Sequence, residues 1–72
     1  MKYRIKVAIE INDRIEELTL KGNDEAKIKE RVNLFLNELC LNDVDIDGVD
    51  LEVFERISYT GLHHSVIVSR EV

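Results

Sequence analysis

Apolar and polar residues alternate along the opening of the chain. Tyr3, Ile5, Val7, Ile9 and Ile11 share one parity, and Lys2, Arg4, Lys6, Ala8 and Glu10 the other. A period of two over residues 2–11, rich in β-branched side chains, marks a half-buried strand. Asn12-Asp13 follows, two residues that tolerate positive φ and suit a two-residue hairpin loop. With that loop, Val7 falls opposite Leu18 and Ile5 opposite Leu20 on one face. On the other face Glu10 meets Ile15, Ala8 meets Glu17 and Lys6 meets Thr19. A slip of one residue would exchange the faces, so a second strand is predicted over 14–21, ended by Gly22.

The period then changes. Ile28, Val32, Phe35, Leu36 and Leu39 recur at helical spacing, with Lys27, Lys29, Glu30, Arg31, Asn33, Asn37 and Glu38 opposite them. Asn23 or Asp24 supplies an N-cap, and Asp24 and Glu25 bring negative charge to the first turn. The pattern predicts a helix over 24–41, its apolar stripe broadened by Leu34 and Leu41. Alternation resumes with Val49, Leu51, Val53 and Ile57 on one face and Asp50, Glu52, Phe54 and Arg56 on the other. Thr60-Gly61 offers a second two-residue turn. Centring a hairpin there sets Val53 against Val68, Ile57 against His64 and Phe54 against Ile67. The expectation is one α+β domain over residues 1–72: a four-stranded antiparallel sheet with one helix on one face, in the order β-β-α-β-β.

Composition narrows the picture. Seventy-two residues make a domain that buries only about 60% of its unfolded surface, so a chain of this size often relies on a disulfide, a metal or a partner. Cys40 is the only cysteine, which excludes an internal disulfide and fits a reducing, cytoplasmic setting. No apolar run is long enough for a membrane helix, and the alternating start is not that of a signal peptide. Ten basic against fifteen acidic residues give a net charge of −5, which disfavours non-specific binding to nucleic acid.

The charges are segregated. Lys2, Arg4 and Lys6 open the chain, while Asp43, Asp45, Asp47, Asp50, Glu52 and Glu55 crowd a later stretch. Asp43, Asp45 and Asp47 followed by Gly48 resemble the first half of an EF-hand loop, in which hard oxygen ligands alternate and glycine permits a sharp turn. The resemblance covers about six positions. The family's bidentate Glu position is Phe54 here, its usual apolar position is Asp50, and a strand rather than a helix follows. A full EF-hand is therefore excluded. A weaker calcium site on the three aspartates stays open beside the plainer reading, in which Asp43, Asp45, Asp47, Asp50 and Glu52 form a solvated acidic edge.

His63 and His64 are adjacent, so in a strand they point to opposite faces and do not share an ion. His64 is expected inward beside Ile57 and His63 outward near Ser58. Cys40 lies near a helix C-terminus, where the dipole disfavours a thiolate, and is expected to be buried filler. The opening strand, turn and amphipathic helix resemble HicB-like antitoxins. The Pro-Asp and Gly-Cys elements of that family are missing, and nothing about function is carried over.

The outer sheet face remains. Ala8, Ile15, Phe54 and Ile67 are all expected to point away from the helix, where burial of a Phe and two Ile against a partner would contribute roughly 1.5–3 kcal/mol each. The leading expectation is thus a non-enzymatic protein-binding module. It would be a homodimer, or an inhibitor whose acidic edge masks a basic surface on another protein. The alternatives are a weak calcium-binding module and a sheet-face nucleic-acid binder using Lys2, Arg4 and Lys6 with Phe54, Tyr59 or Tyr3 as stacking groups.

Overall fold

The computed structural model of the chain describes every residue except Met1, Asn42, Asp43, Asp45 and Val72. Its elements are β1 (Tyr3–Ile11), β2 (Arg14–Gly22), α1 (Glu25–Glu38), β3 (Arg56–Thr60) and β4 (His64–Arg70). They form one antiparallel four-stranded sheet in the order β2-β1-β4-β3, with α1 following the first hairpin, so the α+β expectation holds. No helix among the described residues is long and apolar enough to cross a membrane.

The first hairpin follows the expected register throughout, from Tyr3↔Gly22 to Ile11↔Arg14. Its loop residues Asn12 and Asp13 take φ of 49° and 66°, the pair of left-handed conformations that a type I′ turn requires and that Asn and Asp accept at low cost. Tyr3, Ile5, Val7 and Ile9 are buried on the inner face. β4 lies on the other side of β1 through Val7↔Val68 and Ile9↔Val66, which buries β1 between two strands.

α1 is shorter than the periodicity suggests. Asp24 caps it, accepting a hydrogen bond from the Lys27 N–H at 3.3 Å. At the other end Leu41 N–H donates to Leu36 O at 2.9 Å and Cys40 N–H to Asn37 O at 3.0 Å. These are the two bonds of a Schellman ending, with Leu41 and Leu36 buried together and Cys40 in the left-handed position at φ 60°. Glycine normally occupies that position. Cys40 is therefore exposed rather than buried filler, because the reversal turns its side chain outward. Leu34 is likewise 54% exposed and does not widen the buried stripe of Ile28, Val32 and Leu36.

The second hairpin departs from the expected register by an even number of residues. Ile57 pairs with Val68, Ser58 with Ile67, Tyr59 with Val66 and Thr60 with Ser65. The reversal lies over Leu62 and His63, closed by Gly61 N–H donating to His64 O at 2.9 Å. Gly61 has no positive φ, so it does not serve as a turn glycine. A Cβ at Gly61 would meet His64 Cε1 at 2.5 Å, so this glycine provides room for the imidazole. An even shift leaves Val66 and Val68 inward and Ile67 outward, but it removes Val53 and Phe54 from the strand. Val53 is 72% exposed, and Phe54 is half-buried against the core.

α1 packs against β1 and β2, yet Val66 and Val68 of β4 are completely buried. The rest of their cover comes from the connection between α1 and β3. Val44, Ile46 and Leu51 of that connection are buried, the last two completely, and Val49 and Phe54 pack beside them. The inner face is shielded by a helix and by an irregular strap together, where the sequence suggested a helix alone.

Candidate functional site: the acidic strap

The strap carries the acidic stretch, and its sequence explains its course. Apolar Val44, Ile46, Val49 and Leu51 are interleaved with polar residues, as in a strand with one wet face. Its apolar members enter the core, and Asp47, Asp50, Glu52 and Glu55 stay exposed. Two turns shape it. Val49 N–H donates to Ile46 O at 3.1 Å across Asp47-Gly48. Asp50 O then accepts from Val53 N–H at 3.2 Å and Phe54 N–H at 3.1 Å, while Asp50 Oδ1 accepts from Glu52 N–H at 2.9 Å.

Side chains from three elements pin this segment. From α1, Asn33 Nδ2 donates to Asp47 Oδ1 at 2.7 Å, Asn33 Oδ1 accepts from Ile46 N–H at 3.4 Å, and Lys29 Nζ donates to Asp47 O at 3.1 Å. Glu25, one turn before Lys29, pairs with it at 3.0 Å. From β4, the Arg70 guanidinium donates to the carbonyls of Leu51 and Glu52. Just before β1, Lys2 Nζ meets Glu52 Oε1 at 2.5 Å, and from the first residue of β1 the Tyr3 hydroxyl donates to the same oxygen at 3.2 Å.

This contact shifts the titration of all three of its members. The Lys2 hydrogen bond, its charge and the Tyr3 hydroxyl hold Glu52 below the usual carboxylate range. The same pair raises Lys2, chiefly through the Glu52 hydrogen bond. Burial raises the Tyr3 phenol, with Lys2 opposing.

The residues singled out in sequence are distributed unevenly. Asp43 and Asp45, two of the three candidate calcium ligands, lie outside the described residues. The third, Asp47, is engaged by Asn33, and Gly48 has neither a positive φ nor a neighbour within 4 Å of a Cβ. It does not make the sharp turn that glycine makes in an EF-hand loop. Among the described residues no three His, Cys, Asp or Glu side chains converge as a metal group.

On the outer sheet face Ala8 and Ile67 are direct cross-strand neighbours and both half-buried, while Ile15, opposite Glu10, is 66% exposed. Phe54 does not join them, since the neighbours of Ile67 are Ala8 and Ser58. Of the candidate stacking rings, Tyr3 meets one of the named cations, Lys2 Nζ standing 5.3 Å from its centroid, and that ring belongs to the inner face. Tyr3 is buried, and Tyr59 and Phe54 pack against the core. His64 is half-buried at the start of β4, opposite Ile11, and His63 is exposed in the loop, so neither meets the expected neighbours Ile57 and Ser58.

Sequence reading missed the pinning residues Asn33, Lys29 and Arg70. Asn33 leaves a weak trace, as one of two short amides on a mostly charged helix surface. No family model, curated protein or solved structure matches the chain.

Proposed function

We propose that the chain is a small protein-binding module without a catalytic role, and that its strap presents carboxylates to a basic surface on a partner protein. The observation that carries this reading is the anchoring of the strap. Ile46 and Leu51 are buried, and Asn33, Lys29, Arg70 and Lys2 hold the segment between and around them. Carboxylates on a fixed backbone meet a cationic surface without first losing the conformational entropy of a free loop. With a net charge of −5, the domain is attracted to cations at long range, and such attraction speeds association and weakens with salt. A partner of this chemistry is a protein whose own basic face binds polyanions, and the strap would cover that face.

The test is a side-by-side purification of tagged wild type and a doubly neutralised variant, Asp50→Asn with Glu55→Gln, from extract of the native cells. Asn keeps the side-chain oxygen that accepts from Glu52 N–H, so the turn survives. A basic protein retained by wild type and lost by a variant of equal thermal stability supports the reading. Equal retention by both, or no retained protein, contradicts it.

A further inference from the structure

The unpartnered long edge of the sheet carries an inference independent of the strap. β2 is the terminal strand in the order β2-β1-β4-β3, and at nine residues it is much longer than the opposite edge, β3, at five. Its hydrogen-bonding polarity follows from the hairpin. In the turn over Asn12-Asp13 the Arg14 N–H bonds the Ile11 carbonyl, and Ile11↔Arg14 closes the ladder. Even-numbered residues of β2 therefore bond to β1, and the N–H and C=O groups of Ile15, Glu17, Thr19 and Lys21 point outward.

Three features of this edge bear on its pairing with a further strand. Glu16 sits on the inner face, paired with Ile9, where the pattern calls for an apolar residue, and it is exposed. Gly22 needs neither a positive φ nor extra room, since a Cβ would stand 3.8 Å from Ile28 Cδ1, an ordinary contact. Beside Gly22 runs an open groove of about 680 Å³ whose lining includes Leu20, Lys27, Ile28 and Arg31.

The geometry points to a second copy of this chain as the occupant, joined antiparallel through β2 about a two-fold axis at Thr19. Thr19 then faces the partner's Thr19, and the outward groups of Glu17 and Lys21 face those of the partner's Lys21 and Glu17, giving about six main-chain hydrogen bonds. The Glu17 and Lys21 side chains form opposite-charge cross-strand pairs twice over. On the inner face Leu18 meets the partner's Leu20, and the partner's Glu16 falls opposite Gly22, at the edge of a groove lined by Lys21, Lys27 and Arg31 together with Asp24 and Glu25. Centring the axis instead on Glu17 would set Glu17 against the partner's Glu17. Centring it on Leu20 would lose both charge pairs. The sequence of β2 is thus self-complementary in one register, as an isologous interface requires, and the eight-stranded sheet it forms leaves the strap untouched.

Analytical ultracentrifugation across a concentration series tests this. Wild type is expected to show a reversible monomer–dimer equilibrium. Thr19→Pro removes an N–H that points away from β1, so the monomer keeps its ladder while the dimer loses its centre and is not seen. Glu17→Lys and Lys21→Glu alone each weaken the dimer by about tenfold or more, and the double exchange restores it. A wild-type chain that stays monomeric at millimolar concentration overturns the proposal. So does a dimer indifferent to Thr19→Pro and to both charge reversals. Neither result bears on the strap, whose neutralised variant keeps β2 intact.

Discussion

Gly61 lies flat against the His64 imidazole, so close that a Cβ at Gly61 would stand 2.5 Å from Cε1 and 2.8 Å from Nε2. This packing accompanies the reversal over Leu62-His63, two residues later than the expected turn. It predicts that Gly61→Ala displaces the half-buried ring and destabilises the domain by about 0.5–1.5 kcal/mol, the cost of an off-rotamer side chain. It also predicts that the same change costs far less in a His64→Ala background. Urea denaturation of the four species in a double-mutant cycle measures the coupling. A cost that is unchanged when His64 is absent would show that backbone conformation, not the ring, requires the glycine.

The strap behaves energetically as core. Ile46 is fully buried, like Val32 on α1, so Ile46→Ala is expected to cost about 2–5 kcal/mol. Val53, two residues past Leu51 but 72% exposed, gives a change within about 0.5 kcal/mol as Val53→Ala. Equal effects at the two sites in chemical denaturation would contradict the placement of the strap.

Cys40 holds a left-handed conformation at φ 60° in the helix ending, a region that costs a residue with a side chain about 1–2 kcal/mol. Glycine is free of that strain but more disordered when unfolded. Cys40→Gly should therefore raise stability, by up to about 1 kcal/mol, and raise the melting temperature by a few degrees. Calorimetry under reducing conditions reads this directly. A lower melting temperature would mean that the thiol makes contacts worth more than the strain.

The Lys2–Glu52 contact has a pH signature. Glu52 is held below its ordinary value, so its contribution is present above the usual carboxylate range and disappears as pH falls through the lowered value. Lys2 is raised, so its contribution is present below the ordinary amine range and disappears as pH rises through the raised value. Both groups are more than half exposed, and the effect is small and salt-sensitive. Glu52→Gln is expected to reduce the acid-limb loss of stability in denaturation profiles at low ionic strength. Identical profiles for variant and wild type would show that the pair does not couple to folding.

Where the sequence was legible, two signals agreed. In β1 and β2 the alternation and the Asn12-Asp13 loop both demand one register, and a slip would turn Val7 and Leu18 to water. In α1 the cap at Asp24 and the spacing of Ile28, Val32 and Leu36 agree in the same way. In the second hairpin the expected turn at Thr60-Gly61 and the observed one over Leu62-His63 have the same parity. Alternation cannot separate them, because a shift by an even number keeps Val66 and Val68 inward. What accompanies the observed register is tertiary, the burial of Ile46 and Leu51 of the strap where a longer β3 was expected. The acidic stretch misled for a related reason. Its carboxylates are conspicuous, while the Val44 and Ile46 between them, which place it over the sheet, are read as ordinary loop residues when a helix is expected to cover that face alone. Arg70 binds two carbonyls of the strap and Asn33 one of its amides besides the Asp47 carboxylate, and backbone partners leave no pattern in a sequence.

Native-state hydrogen exchange of the strap tests the central claim, that the carboxylates ride on a fixed and buried scaffold. The amides of Ile46 and Val49, bonded to Asn33 Oδ1 and Ile46 O, are predicted to exchange only with global unfolding, at rates matching the centre of β1. Exchange of these two amides at the rate of an open chain, while β1 stays protected, would contradict the account.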